Sequence, residues 1–531
     1  MTVAFTVANP VPANGDVQVT FPSGFDISSA AYFSGNAGSS VAVNLQVLTI
    51  NLGTQIASGS ASIVLSNIKN PVVTGSTGTY AIETQDASDT AIDQGTAAAN
   101  TITAGALTVT NVQPATLNAG AAGNATVSFT TANPIPADGK ILITFGSGFA
   151  FNSGAATAAS SSSMNGTFTV GIAGQTVTLT RSVGAQQNAG EAETITLTNI
   201  KNPVISGTTG TYTIKTTTNG NVDIDQDTAV AADTITAASL ASTNVQPASL
   251  KVSTTGNVTV FFTTSNPLPA DGKIKITFPN SLGAGFILSG VGASDASSTT
   301  DISGTEWATV SGQTLTITRS GGSILAAGSL VDDLTIANVK NPDVVGSTGT
   351  YTIQTTDATD VVIDEDTAVL ADTTMAGALT ATNVQPASLT AGVTGNVTVT
   401  FTPEHALPAT GKILVTFPAG FSLTAVQATN ASSTLINGGL TAGVSGQTVT
   451  ISRSGTGGVI NAGTVINDLV IANVRNPIVS GSGGMYTIAT ANSGALVIDQ
   501  NTSVAADSFV AGVLSGTNVQ PASLVAGALG N

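Results

Sequence analysis

Acidic side chains cluster at two places in this chain and offer the oxygen ligands that a hard cation prefers. The first cluster is Asp223, Asp225 and Asp227, and the second is Asp360, Asp364 and Asp366. Oxygen-rich clusters at alternate positions can bind Ca²⁺. The spacing, however, lacks the glycine and the distal glutamate of an EF-hand loop. Two interpretations stay open: weak calcium sites, or acidic turns without a ligand.

Enzymatic chemistry finds little support in the residue types. His405 is the only histidine, and it lies where the equivalent turns carry Asn9, Asn133 and Asn266. A catalytic site is not expected in one of four equivalent turns, so we expect His405 to be a solvent-exposed turn residue. The chain has no Ser/His/Asp set, no phosphate-binding glycine loop and no recurring acid–base pair of carboxylates. We therefore expect no enzyme, and no cofactor other than the calcium considered above.

Composition narrows the classes of partner. Charged residues make up 8 % of the 531 positions, against about 25 % in an ordinary soluble domain. The net charge of −17 argues against nucleic acid and against anionic membrane surfaces. No apolar run is long enough for a membrane-spanning helix. The chain has no cysteine, which excludes disulfides.

The chain repeats itself with a long period. The phrase Asn-Val-Gln-Pro-Ala-(Ser/Thr)-Leu begins at Asn111, Asn244, Asn383 and Asn518, at intervals of 133 to 139 residues. A repeat of this length can bury a core of its own. The phrase therefore predicts four domains and a leftover segment, at residues 1–110, 111–243, 244–382, 383–517 and 518–531.

Within each repeat the pattern is that of β-strands. Apolar and polar residues alternate, and turn signals recur every 8–12 residues, which is typical of an antiparallel β-sandwich. The predicted core of the third repeat includes Val258, Val260, Ile274, Ile276 and Phe278. Residues 379–382 are expected to close that repeat. No flexible linker separates the repeats, so we expect an all-β chain of four sandwiches in an elongated, semi-rigid rod.

Two phrases carry a resemblance to a known class of protein. One is the turn Asn-Pro-(Ile/Leu)-Pro-Ala-Asp-Gly-Lys with the Ile-x-Ile-Thr-Phe strand after it, and the other is Lys-Asn-Pro-Val before Gly-Thr-Tyr-Thr-Ile. They resemble the immunoglobulin-like β-sandwich repeats of large secreted bacterial and archaeal surface proteins. The resemblance implies an extracellular or cell-surface location. Some such domains carry Lys–Asn cross-links, but Arg475 replaces the candidate Lys69, Lys201 and Lys340 in the fourth repeat, which disfavours an obligatory cross-link.

Three functions follow as expectations. The first is a structural protein that forms an extracellular filament, sheath or surface array by head-to-tail association of its domains. The second is an adhesin stalk that projects a binding domain not in this chain. The third is an array of carbohydrate-binding modules, although aromatic residues make up only 4 % of the chain.

Charged residues and glycosylation sequons recur in register. Asp93, Asp225, Asp364 and Asp499 occupy equivalent positions, and the strand-ending Arg181, Arg319 and Arg453 do the same. Repeated placement of so few cations predicts fixed ion pairs. Sequons begin at Asn124, Asn257 and Asn396, and they predict either glycosylation or simple Gly-Asn turns.

The two ends of the chain are predicted to be complementary. The first repeat lacks the segment that opens every other repeat, whereas residues 518–531 supply that segment with no sandwich to join. Strand addition between copies would fill the gap. Alternatively, the chain is one window of a longer array in which the same contacts form through the peptide bond. The residues predicted to meet are Asn518, Val519, Leu524 and Val525 on one side and Met1, Val3 and Phe5 on the other.

Overall fold

The computed structural model describes residues 1–530, and within this range it contains β-strands but no helix. The part of the chain it describes therefore holds no helix that is long and apolar enough to cross a membrane. The chain forms two compact units, Met1–Ala238 and the part from Ser239 onward. The all-β expectation is confirmed. Residue 531, at the end of the predicted leftover segment, lies outside the described residues.

The first repeat forms two larger sheets and one small one. Its strands are β1 (Thr2–Val7), β2 (Asp16–Thr20), β3 (Ala31–Ser34), β4 (Ser40–Asn44), β5 (Val47–Asn51), β6 (Gly59–Ser66), β7 (Gly75–Ser76), β8 (Tyr80–Gln85), β9 (Ala91–Ala97) and β10 (Thr101–Ile102). The sheet orders are β1-β6-β3, β4-β5-β2-β8-β9 and β10-β7.

The second repeat has the same sheets with one more strand in each of the two larger ones. Its strands are β11 (Gly105–Ala106), β12 (Thr108–Pro114), β13 (Ala122–Thr130), β14 (Lys140–Thr144), β15 (Ala159–Ser161), β16 (Thr167–Ala173), β17 (Thr176–Ser182), β18 (Ala192–Lys201), β19 (Gly207–Thr208), β20 (Tyr212–Thr217), β21 (Asp223–Val230) and β22 (Thr234–Ile235). The sheet orders are β12-β13-β18-β15, β11-β21-β20-β14-β17-β16 and β19-β22.

The third repeat follows the pattern of the second. Its strands are β23 (Ala238–Ser239), β24 (Ala241–Pro247), β25 (Thr255–Thr263), β26 (Lys273–Thr277), β27 (Ala296–Ser297), β28 (Thr305–Ser311), β29 (Thr314–Ser320), β30 (Leu330–Lys340), β31 (Gly346–Ser347), β32 (Tyr351–Thr356), β33 (Val362–Val369) and β34 (Thr373–Thr374). One sheet runs β24-β25-β30-β27, and another contains β33-β32-β26-β29-β28 in that order.

The fourth repeat contains the last strands in chain order. They are β35 (Gly377–Ala378), β36 (Thr380–Pro386), β37 (Thr394–Thr402), β38 (Lys412–Thr416), β39 (Ala431–Ser432), β40 (Leu440–Ser445), β41 (Thr448–Arg453), β42 (Ile466–Arg475), β43 (Gly481–Ser482), β44 (Tyr486–Ala491), β45 (Val497–Val504) and β46 (Ser508–Phe509). The sheets run β36-β37-β42-β39, β35-β45-β44-β38-β41-β40 and β43-β46. The chain thus builds repeated, sandwich-like groups of sheets.

The cores lie where the alternation predicts them. In the third repeat the five predicted core residues are at most 1 % exposed, and they belong to a single apolar cluster. Alternate side chains of a strand point to opposite faces, so the apolar set faces inward while the Thr-rich set faces out. Phe278, Phe286 and Tyr351 add an aromatic triad with ring centroids 5.2 to 5.9 Å apart.

The strand that opens each later repeat begins before the recurring phrase does. β12 starts at Thr108 and β36 at Thr380, each three residues ahead of the predicted boundary. Residues 380–382, expected to close the third repeat, are instead part of β36, which pairs antiparallel with β37 of the fourth. The boundary was predicted three residues too late because the alternating pattern continues without interruption into Asn-Val-Gln-Pro.

Burial of Ile276 generates a stability prediction for the third repeat. We expect Ile276→Asp to unfold that repeat, because an unpaired buried charge costs several kcal/mol. Trp307 is the only tryptophan of the chain and lies in β28, so its fluorescence during urea unfolding reports on this repeat. Thr309→Asp, on the exposed face of β28, is the control and should unfold like the parent. A parent-like curve for Ile276→Asp would refute the assigned register.

Candidate assembly site

The first repeat carries an open sheet edge. Within the described residues β1 pairs only with β6, whereas its counterparts β13 and β37 are paired on both sides. The strand that is missing is the one that β12 and β36 supply to the later repeats. Unpaired backbone amides and carbonyls along such an edge are a template for another strand.

The opposite sheet of the first repeat lacks a neighbour at the matching place. In the second repeat Gly105–Ala106 pairs in parallel with Asp225–Gln226 of β21, and Gly377–Ala378 pairs with β45 in the same way. The equivalent strand of the first repeat, β9, pairs only with β8 among residues 1–530. One continuous segment, 105–114 in the second repeat, therefore completes both sheets.

Two adjoining cavities mark the gap between these edges. One has a volume of about 320 Å³ and is lined by Phe5, Ile82 and Asp93 among others. The second, of about 230 Å³, is lined by Met1 and Val3 among others. The three predicted acceptor residues thus lie along this groove. Val3 is buried, Phe5 is half-buried, and the Met1 amino group donates to the Leu65 carbonyl at 2.7 Å.

Two side chains of the opening segment fill the same gap in the other repeats. Leu107 and Val112 are 5 % and 0 % exposed and belong to the core cluster of the second repeat. Leu240 with Val245, and Leu379 with Val384, are buried in the same way. The gap of the first repeat is therefore a two-anchor apolar groove with strand edges on both sides.

The chain contains one unpaired copy of this segment. Residues 511–530 form no strand, and Leu514 and Val519 are 82 % and 95 % exposed. Val519 was predicted from the sequence and is the counterpart of Val112. Leu514 was missed, although a leucine four residues before each Asn-Val-Gln-Pro recurs at positions 107, 240, 379 and 514.

Three other predicted donor residues do not match a groove anchor. The counterpart of Asn518 is Asn111, which is exposed, and the counterpart of Leu524 is the half-buried Leu117. The counterpart of Val525 is Asn118, whose bridge goes to Thr236 of its own repeat. Leu514 and Val519 are thus the two whose counterparts belong to the core cluster, and a role of the other three in assembly stays a prediction.

The recurring aspartate lies beneath the opening segment and ties a turn to the sheet. Asp364 is fully buried, and its Oδ2 accepts hydrogen bonds from the amides of Ser265 and Asn266, both at 2.9 Å. Its Oδ1 accepts from Nδ2 of Asn266 at 2.8 Å. Asp225 makes the same three bonds to Ala132 and Asn133. Burial raises the pKa of Asp364 above its ordinary value.

Asp93 makes the same bonds without a cover. It accepts from the amides of Ala8 and Asn9 at 3.0 Å and from the Asn9 side chain at 2.9 Å. In the second repeat Gly105 passes so close over Asp225 that a β-carbon would collide with the carboxylate. No such residue covers Asp93 among those described, and the bonds from Asn9 lower its pKa.

The recurring arginines have a structural role rather than the predicted ion pairs with these aspartates. Arg319 is 2 % exposed and donates to the Pro269 carbonyl at 2.7 Å and to the Ser323 carbonyl at 2.8 Å. Arg181 and Arg453 make equivalent bonds to Pro136 and Pro408. Burial lowers the pKa of all three. Backbone carbonyls accept from the terminal nitrogens of these three groups, which therefore do not pair with the recurring aspartates. Of the other recurring cations, Lys273 does form an ion pair, with Asp360.

The six calcium candidates take separate partners. Asp223 pairs with Lys215 at 2.9 Å, and Asp360 pairs with Lys273 and Lys275. Asp227 and Asp366 each accept a 2.6 Å hydrogen bond from a threonine of the opening strand, Thr110 and Thr243. Asp225 and Asp364 are buried in their strands and bind the turns, so the contacts do not support shared ligation. Calcium binding stays a prediction.

His405 is not the exposed turn residue that the sequence indicated. Its amide donates to Oδ2 of Asp499 at 2.9 Å, and its Nδ1 lies 2.7 Å from Oδ1 of the same carboxylate. The ring is half-buried and replaces the asparagine of the other repeats. Glu404, His405 and Asp499 bring one ligand atom each within 4.8 Å of one another. Glu404, however, already pairs with Lys251 and accepts from the Ala378 amide.

The predicted sequons are sterically available. Asn124, Asn257 and Asn396 are exposed, and each lies at a register shift of its strand. Glycosylation at these positions stays a prediction.

Comparison with known proteins adds little to this geometry. No protein-family model matches the chain, and no curated protein does. Matches among solved structures include Salmonella alpha-2-macroglobulin reacted with methylamine, at 13 % identity and a TM-score of 0.17, and a mutant of the same protein, at 8 % and 0.14. Each alignment covers 96 % of this chain but only 29 % and 40 % of the other. A similarity at this level supports no argument about function.

The aspartate beneath the opening segment leads to a second stability prediction. Asp364→Ala should lower the free energy of unfolding of the third repeat by about 2–4 kcal/mol, because it leaves buried amides unpaired. Trp307 fluorescence in urea measures the change. The control is Asp360→Ala, which removes the half-exposed ion pairs with Lys273 and Lys275, each worth about 0–1 kcal/mol. If Asp364→Ala and Asp360→Ala lowered the free energy of unfolding equally, burial would not strengthen the hydrogen bonds between Asp364 and the turn.

Proposed function

We propose that this chain is a structural protein of four immunoglobulin-like β-sandwich domains that assembles head to tail into an extracellular filament, sheath or array. The observation that carries the proposal is the open groove of the first repeat together with the unpaired segment that matches it. In the other three repeats a segment of the same sequence completes the same groove. A second copy of the chain, or a neighbouring repeat of a longer chain, is thus the partner whose chemistry fits.

Burial of the two anchors supplies the driving force. Leu514 and Val519 are almost fully exposed in the described chain, whereas their counterparts are at most 6 % exposed. Burying such a side chain is worth about 1.5–3 kcal/mol. Backbone hydrogen bonds along β1 and β9 add to this and fix the register, as in other cases of strand addition.

Gly516 makes the free segment well suited to strand addition. The opening strands contain a register shift, and its left-handed residue is Val109 (φ 51°) in the second repeat, Ser242 (φ 50°) in the third and Ala381 (φ 47°) in the fourth. A residue with a β-carbon pays about 1–2 kcal/mol for this conformation. Glycine does not, and Gly516 has a φ of 69°.

The rival functions receive less support. An adhesin stalk does not need a groove and a segment that match each other. A carbohydrate-binding array would need recurring exposed aromatic rings, and Trp307, exposed at 60 %, occurs once. The sparse charge and the absence of cysteine are compatible with an extracellular array, and the location is part of the proposal.

Deleting residues 512–531 tests the strand link. We expect the parent chain to form long regular fibres by electron microscopy and the truncated chain to remain unassembled, since the groove loses its donor. A synthetic peptide of residues 511–524 should bind the truncated chain and raise the melting temperature of its first repeat. The control peptide carries Leu514→Asp and Val519→Asp. Fibres from the truncated chain would rule out strand donation.

A gain-of-function variant tests the register. Thr110 and Thr243 bond to Asp227 and Asp366, but the equivalent position of the first repeat is Gly95, which offers no acceptor to Thr517. A β-carbon at Gly95 meets nothing within 4 Å. Gly95→Asp should lower the critical concentration for assembly about tenfold, because a charge-assisted hydrogen bond is worth roughly 1.5–3 kcal/mol.

Thr517→Val is the matched control for that variant. It removes the hydroxyl donor, so it should cancel the gain in the Gly95→Asp background and change little in the parent. The critical concentration is read from pelleting at a series of protein concentrations. A gain that survives Thr517→Val would mean that the register is different.

A further inference from the structure

Neighbouring repeats within each compact unit touch through a second contact, separate from the opening segment. The amide of Thr74 in the first repeat donates to the carbonyl of Asp223 in the second at 2.9 Å. The amide of Val345 in the third donates to the carbonyl of Val497 in the fourth at 2.8 Å. Thr74 and Val345 both directly precede the glycine that follows Asn-Pro, and Asp223 and Val497 both begin the strand that carries the recurring aspartate.

Apolar packing accompanies this backbone bond. Val344, next to Val345, is fully buried and belongs to the core cluster of the fourth repeat together with Ile498. Ile224, the counterpart of Ile498 beside the first such bond, is 1 % exposed. At the junction of the third and fourth repeats, the loop after Asn-Pro therefore packs with the isoleucine at the start of the acid-bearing strand.

The same loop has no partner in the fourth repeat among the described residues. Ile478 and Val479 are each 71 % exposed, and Val479 is the counterpart of the buried Val344. The isoleucine that such a loop contacts is also less covered in the first repeat. Ile92, the counterpart of Ile224 and Ile498, is only half-buried. An exposed apolar loop and an under-covered isoleucine thus occupy the two surfaces that would meet.

We infer that residues 478–480 of one copy dock on the start of β9 in a second copy, with the Ser480 amide donating to the Ala91 carbonyl. This inference rests on the proposed head-to-tail assembly and names a second contact at the same junction. The occupant is a second copy of the chain, because the junction between the third and fourth repeats already shows this contact. In this contact Val479 covers Ile92, in the same way that Val344 packs with Ile498 in the core cluster of the fourth repeat.

The absence of native cysteine allows a direct test in the full chain. A chain carrying Ser480→Cys and Ala91→Cys should form a ladder of covalent oligomers when assembled fibres are oxidised, because paired backbone positions lie within disulfide reach. Its control carries Ser480→Cys and Thr309→Cys, the latter exposed in the third repeat. Fibres that form without a ladder, or with the same ladder in the control, would overturn the contact.

An apolar-to-charged double variant measures how much the contact contributes. Ile478→Asp with Val479→Asp should raise the critical concentration at least about tenfold, through lost burial and a desolvated charge. The control is Ile324→Asp with Leu330→Asp, which changes two exposed apolar residues of the third repeat. A shift equal to the control's would overturn the inference while leaving strand addition intact.

The two proposals fail in distinguishable ways. If the parent chain does not assemble, or the chain without residues 512–531 assembles, the strand link fails. If the truncated chain stays unassembled and the double variant assembles like its control, only the second contact fails. A rise in critical concentration for the double variant, with the cysteine ladder present, supports both.

Discussion

The rest of the structure depends on a constraint at the sheet edges: both larger sheets of a repeat end at the same groove, and one segment must complete them together. Gly105–Ala106 extends one sheet, Leu107 crosses the groove, and β12 extends the other. Because a single stretch of chain serves both edges, a repeat is either closed on both sheets or open on both. The first repeat is open on both among the described residues, which makes its gap deep enough for side chains as well as backbone bonds.

The buried aspartate explains why the segment fits so closely. Its carboxylate holds the turn that starts at Asn133 or Asn266, and the segment then covers the carboxylate and removes it from water. Covering an ionised group is costly unless its hydrogen bonds are complete. All three bonds already exist around Asp93 before any cover arrives, so the first repeat is preorganised for a strand rather than refolded by it.

The sequence allowed the strands, the core and the missing segment to be predicted, because alternation, Asn-Pro turns and a long repeat are local signals. Leu514 could have been found from the recurring leucine at positions 107, 240 and 379. The destinations of the charged groups could not be found in this way. Arg319 binds the carbonyl of Pro269 and His405 binds Asp499, and the fold brings these partners within 3 Å from 50 and 94 positions away.

The acidic clusters also have an explanation that needs no cation. Asp227 and Asp366 suggested a cation, yet each holds a threonine of the opening strand in place. The fourth repeat uses Asn501 and Thr382 for the same purpose at 2.9 Å, which shows that the bond needs a short polar side chain rather than a charge. A pattern of carboxylates on one strand is therefore equally explained by strand pairing.

A covalent junction and a junction between copies face different demands. A segment joined to its groove by the peptide bond is present at high effective concentration, so the later repeats can tolerate strain such as the left-handed Val109. A segment that must find another copy has no such advantage, and its conformational cost enters the affinity directly. Gly516 and Val513 both differ from the equivalent residues of the later repeats, which have alanine or serine at the position of Val513. Both differences are in the direction that lowers the conformational cost of binding another copy. Both differences are compatible with the proposed association between copies.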